Sequence, residues 1–210
     1  MPGRWEPAPG VMTESGPDTT LTEVTRNGSR WQVGKATDVA WIAGDTPVGT
    51  AISAAIPAVF DAYVTIVLPE DHIDQPPHDA ALLSVLRAHA IDQHWWLGYL
   101  DTGADDVVFP AAPRVRLYSD WPYVLVLAGS EQAAAWRRWD SSSYWSGHLP
   151  NLVFPVSRCW LVSTLWDDDW TCVGGTAALI DDLVRHPQLS PLVRRIKPGQ
   201  DATPPGHTAM

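Results

Sequence analysis

The chain has 210 residues, 45% of them hydrophobic and 18% charged, which is room for one ordinary domain of about 100–150 residues with tails. That composition excludes a large multi-domain assembly and a wholly disordered chain. Fourteen Lys and Arg against 24 Asp and Glu give a net charge of −10, and no stretch concentrates the cations. Nucleic acid is therefore a poor partner, whereas an acidic surface favours encounter with a basic protein.

The segment MPGRWEPAPGVMTESG sets Pro and Gly where a secretory leader needs a continuous apolar run. No stretch of about 18 apolar residues occurs elsewhere, so the expectation is a cytoplasmic protein without a membrane span. Pro2, Pro7, Pro9 and Pro17 with Gly3, Gly10 and Gly16 make residues 1–20 a disordered tail, and residues 198–210 read as a second one. Residues 21–197 remain as a single domain.

Within it, LTEVTRNGSRWQV flanks Asn27-Gly28 with two polar-apolar runs, the strongest short signal for a two-residue hairpin. Thr46 followed by Pro47 reads as a helix start, with Val48, Ile52, Ala55 and Ile56 on one face and Pro57 as the stop. Tyr63–Leu68 is β-branched and apolar and reads as a strand. A second helix starts at Pro76-Pro77 and recurs through Leu82, Leu83, Leu86 and Ala90. WWLGYL, DVVF, RVRLY and YVLVLAG then form strands of a meander, and Ser130 opens a short helix through Ala133, Trp136 and Arg137. Residues 140–148 read as loop. RCWLVSTLWDDDWTCVGG reads as a hairpin with an acidic turn, after which Thr176 caps the helix AALIDDLVRH before Pro187 stops it. Strands joined by short turns, with about four helices packed on them, define an α+β fold with a largely antiparallel sheet.

Two cysteines occur, Cys159 and Cys172. If Trp166 and Thr171 pair across the acidic turn, Cys172 faces Leu165, so a local cross-hairpin disulfide does not form. Without CxxC spacing there is no structural zinc signature either. Glu70, Asp71, His72, Asp74, His78 and Asp79 gather metal-ligand residue types, yet neither HExxH nor a facial-triad spacing appears, and the prolines between the histidines are explained by a helix start. There is no GxSxG elbow, no protease cysteine signature and no GxGxxG or phosphate loop. The expectation is a protein with no cofactor, no metal and no catalytic residues.

Two acidic loops stand out. Asp167, Asp168 and Asp169 are bracketed by Trp166 and Trp170, and Asp101, Asp105 and Asp106 surround Gly103. A turn of carboxylates beside indoles suits a protein interface, where charge steers encounter and an aromatic anchors it; as a calcium loop the first lacks alternating oxygen ligands and a distal Glu. These eight residues are the candidate partner-binding site, the alternatives being a small hydrolase that uses the loop carboxylates and a Trp-rich ligand-binding domain.

At WWLGYLDTGADDVVFP and CWLVSTLWDDDWTCVGG the chain resembles a family of small, mostly uncharacterised actinobacterial proteins. Over about Trp31 to Arg195 it is similar to the family of the immunity factor that neutralises the mycobacterial necrotizing toxin, a secreted NAD-glycohydrolase. The resemblance implies a cytosolic antitoxin that blocks the toxin's NAD site by direct binding and performs no catalysis. It transfers no individual contact residue.

Overall fold

The computed structural model describes residues 21–26, 28–43, 47–71, 73–91, 93–102, 109–135, 149–165 and 168–208. The expected tail 1–20, the loop 140–148, the end of the helix through Trp136 and Arg137, and most of the DVVF strand lie outside these residues.

The apolar runs pair into one antiparallel sheet, which among the described residues has ten strands. In chain order these are β1 (Glu23–Arg26), β2 (Ser29–Val33), β3 (Ala62–Val67), β4 (Trp95–Leu100), β5 (Val115–Leu117), β6 (Trp121–Ala128), β7 (Leu152–Pro155), β8 (Trp160–Ser163), β9 (Trp170–Gly175) and β10 (Val193–Ile196). Among the described residues four helices accompany them: α1 (Ala36–Ala43), α2 (Gln75–Ala88), α3 (Ser130–Ala135) and α4 (Ala177–Arg185). The spatial order is β1-β2-β6-β4-β7-β8-β9-β3-β10, with β5 also on β6. The fold is α+β. Only β7-β8-β9 run as a simple meander; β3 lies at the far end from β2, and β6 lies on the other side of β4 from β7.

Antiparallel sheets commonly leave one face wet. Here both are covered, which is why β4 and β9 are buried at every position. Alternation sends Trp95, Leu97 and Tyr99 of β4, Val124 and Val126 of β6, and Trp160 and Val162 of β8 to one face. There they meet Leu82, Leu83 and Leu86 of α2, Ala133 of α3 and Leu179, Ile180 and Leu183 of α4. Trp95 and Trp160 stack edge to face at 4.8 Å in this layer. The opposite face gathers Trp96, Tyr123, Leu125, Phe154, Trp170 and Cys172 under Val39 and Ile42 of α1 and Ile52, Ala55 and Ile56.

Turn chemistry agrees with the sequence at several points. Gly28 has φ +77 and Arg26 pairs with Ser29, so the first hairpin turns over two residues. Prolines occupy the start of α2. The Thr176 side chain accepts a hydrogen bond from the Leu179 amide at 3.2 Å and caps α4.

Three expectations are corrected. Thr46 lies outside the described residues, and residues 47–56 do not form a helix: Ile52–Ala54 make a single 3-10 turn, and Val48 is 90% exposed although Ile52, Ala55 and Ile56 are buried. The helix lies earlier, at Ala36–Ala43, where the Asp38 carboxylate accepts from the Lys35 amide at 2.7 Å. The β8–β9 hairpin pairs Ser163, not Leu165, with Cys172; a slip of two residues preserves which face each side chain occupies, and both thiols stay free. Residues 198–208 are a strap, not a loose tail. Asp201 bridges to Ala51, and the Ala202 amide donates to the Thr50 carbonyl at 2.9 Å. Arg194 Nη2 reaches the carbonyls of Asp201, Ala202 and Thr203 at 3.1, 2.9 and 2.7 Å. Ala202 and Pro204 are buried. An Arg on β10 and a free backbone edge at Thr50–Ile52 outweigh the Pro and Gly content that suggested disorder.

Candidate functional site

Strand direction decides which loops share an end of the sheet. β3, β4 and β8 run one way and β6, β7 and β9 the other. The loops leaving β3, β4 and β8, and the turn entering β6, therefore all emerge at one end. This brings together Glu70, Asp71 and Asp74 after β3, Asp101 after β4, Asp120 before β6, and Asp168 and Asp169 in the β8–β9 turn. The backbone ties two of these loops directly, because the Leu68 amide donates to the Asp169 carbonyl at 2.8 Å. With strands about 4.8 Å apart, the four spacings from β3 to β4 make this end roughly 20 Å wide.

The carboxylates there fall into two groups. Asp101 is structural: Arg114 directs Nη2 and Nε onto its Oδ2 at 2.7 and 2.9 Å, while Arg114 Nη1 donates to the Pro110 carbonyl at 2.8 Å. The pair is largely withdrawn from solvent and staples the loop that follows β4. Asp120 meets Arg116, whose Nη1 also donates to the Asp120 carbonyl at 2.8 Å. Asp169 meets His207 of the strap, Nδ1 to Oδ2, at 2.6 Å. By contrast Glu70, Asp71 and Asp74 are exposed and have no ion pair among the described residues, and Ile73, between them, is 80% exposed.

Of the eight residues that the sequence singles out, Asp101, Asp168, Asp169 and Trp170 are described, whereas Trp166, Asp167, Asp105 and Asp106 lie outside the described residues. Trp170 is only 3% exposed and belongs to the core, so it does not stand out as an anchor: its strand partner Val67 and the second face of the sheet hold it inward. Sequence reasoning misses Glu70, Asp71, Ile73 and Asp74 as part of this end: the carboxylates stand out only as metal-ligand residue types ahead of the helix start at Pro76-Pro77, and Ile73 carries no signal of its own. The signal that could have found them is an exposed apolar residue among carboxylates, meaningful only once β3 is known to lie beside β9.

The segment 70–79 is not one ligand set. His78 and Asp79 are buried on α2, with His78 Nδ1 3.3 Å from Asp79 Oδ1 and Gln75 Nε2 donating to that oxygen at 2.7 Å, while Glu70, Asp71 and Asp74 face solvent. Among the described residues no group of three His, Cys, Asp or Glu side chains could hold a metal ion. Nor is any described tryptophan exposed: Trp31, Trp95, Trp96, Trp160 and Trp170 are buried, and Trp41 and Trp121 half-buried.

Two further places bear on chemistry. At the opposite end of the sheet an open cleft of about 410 Å³ is lined by Trp41, Val59, Phe60, Asp61, Arg158, Cys159, Gly175 and Thr176. Arg158, in the left-handed region at φ +59, places its guanidinium 5.5 Å from the Trp41 ring centre. Inside the second face, the Tyr118 hydroxyl donates to the Ala55 carbonyl at 2.9 Å and meets Ser163 Oγ at 3.0 Å. Burial pushes the Cys172 thiol up from 9.0 to about 12, with the Asp168 charge adding to it, and burial raises Tyr118 and Tyr123 as well. A thiol held protonated is not a nucleophile.

Comparison with protein-family models, with curated proteins and with solved structures finds no match. Among the described residues no helix is long and apolar enough to cross a membrane.

Proposed function

We propose that this chain is an immunity protein: a cytoplasmic, non-catalytic inhibitor that binds a basic toxin domain of the NAD-glycohydrolase type and blocks its active site. The observation that supports the reading is the convergence of the acidic loops on one end of the sheet, with Glu70, Asp71 and Asp74 exposed around the protruding Ile73. Exposed carboxylates steer a cationic partner into place, and an apolar residue among them supplies burial once contact is made. An end about 20 Å across fits the roughly 800 Å² that each partner of a standard interface contributes.

The carboxylates also argue for binding over hydrolysis. Asp101, the described member of the loop that a hydrolase would use, is spent on Arg114. The test mixes the protein in equimolar amount with a basic NAD-glycohydrolase toxin domain. The expected result is a one-to-one complex on size-exclusion chromatography and loss of NAD⁺ hydrolysis. Undiminished NAD⁺ turnover with no complex at excess protein would refute it.

A further inference from the structure

The strap has two parts of different character. Its root, Gln200–Thr203, is pinned by backbone bonds to Thr50 and Ile52, by the Arg194 guanidinium and by burial of Ala202. Its tip runs on to the β8–β9 turn, where His207 makes two side-chain contacts. Nδ1 lies 2.6 Å from Asp169 Oδ2, and the ring stands edge-on to the Trp170 indole, centroids 6.2 Å apart and planes at 78°. Asp169 is exposed, and the Asp169–His207 contact is a surface pair of the kind that holds weakly.

A carboxylate beside an aromatic ring is the arrangement that recognises a cationic side chain, by charge on one side and by the ring's quadrupole on the other. His207 already sits in that position. We propose that Asp169 and Trp170 form a recognition site for one cationic side chain, which His207 occupies in cis as an autoinhibitory stand-in for a Lys or Arg of the partner. The inference rests on the reading of the acidic end as the partner-binding face and gives that face its regulation. The root keeps the tip close by, so the tip is a tethered competitor that a partner's cation displaces without unfolding the strap. Displacement bares the part of the Trp170 indole that the His207 ring meets. The turn then offers an aromatic surface only to a partner that brings a positive charge, which makes the cover a device for specificity. A cover closed about nine-tenths of the time raises the apparent Kd about tenfold, so opening it recovers that factor.

The experiment uses the whole chain labelled with 5-fluorotryptophan, the Trp170 ¹⁹F resonance being assigned through Trp170→Phe. The probe is N-acetyl-arginine amide. In His207→Ala the Trp170 resonance is expected to gain a solvent isotope shift, and the probe to bind about tenfold more tightly than to the parent. In Asp169→Asn/His207→Ala the isotope shift remains and the gain in probe affinity disappears. His207→Arg, which puts a fixed positive charge in the same place, is expected to weaken the probe. The proposal is overturned if Trp170 stays shielded in His207→Ala, or if it becomes exposed without any gain in probe affinity. Failure of the acidic end as a partner site shows separately, as a toxin complex that forms equally well when Glu70, Asp71 and Asp74 are neutralised.

Discussion

Arg194→Met removes a guanidinium while keeping an unbranched apolar stem in its place. In the parent, one Nη2 faces three carbonyls, of Asp201, Ala202 and Thr203. It carries two protons, so at most two of these bonds are made at a time. A hydrogen bond from a charged donor contributes about 1.5–3 kcal/mol when buried, and this one is half-buried with carbonyls that water can reach after the change, which halves the expectation. The loss is therefore about 1.5–3 kcal/mol. For a domain of this size each kcal/mol moves Tm by about 2–4 °C, giving a fall of roughly 3–12 °C by calorimetry. Hydrogen exchange supplies the local reading: the Ala202 amide, bonded to Thr50, loses protection, and the amides of β4 and β6 do not. A Tm within about 1 °C of the parent, with Ala202 still protected, would show that the strap is held by something other than Arg194.

Gly174→Ala sets a methyl 2.5 Å from both Ile56 Cγ2 and Phe60 Cδ2, and urea denaturation is expected to show a loss of about 1–3 kcal/mol; an unchanged midpoint would mean that this face is loosely packed. Thr176→Ala takes away the cap on the Leu179 amide and is expected to cost about 1 kcal/mol in the same assay. The Cys172 thiol, pushed up to about 12, binds its proton more tightly folded than unfolded. Its contribution is whole below about pH 9 and declines as pH rises towards 12, so stability falls by about 1.4 kcal/mol between pH 8 and pH 10 on this account. Denaturant curves across that range should show the slope in the parent and a flatter one in Cys172→Ala, the raised tyrosines adding a fall near pH 10 that both proteins share; identical slopes would place the alkaline sensitivity elsewhere.

The parts of the fold that were legible in the sequence are those whose signal is local. Asn27-Gly28 names its own hairpin, Pro76-Pro77 and Thr176 mark helix starts, and WWLGYL, short, apolar and rich in aromatics, reads as a strand. What escaped depends on partners far along the chain. Val48, Ile52, Ala55 and Ile56 have helical spacing, but only the last three cover the sheet face, which accepts a 3-10 turn and a bend, and the strap at Gln200–Ala202 pairs with the backbone that a helix would have used. The strap reads as disorder because Pro and Gly report only local preference, whereas Arg194 and the buried niche of Ala202 are tertiary. The acidic loops were visible one by one. That they share an end follows from β3 and β4 lying on either side of β7-β8-β9, an order that no spacing in the sequence encodes, and the burial of Trp170 follows from its pairing with Val67.

The central claim is that the acidic end of the sheet is where a basic partner lands. Stopped-flow association of a basic NAD-glycohydrolase toxin domain with the parent and with Glu70→Gln/Asp71→Asn/Asp74→Asn tests it, at low and at physiological salt, since these three residues are exposed and carry no ion pair among the described residues. The account predicts an association rate about tenfold lower for the variant at low salt, a flatter dependence on salt, and a dissociation rate that changes little. Association rates that coincide at every salt concentration, for a variant with the parent's melting temperature, would contradict it.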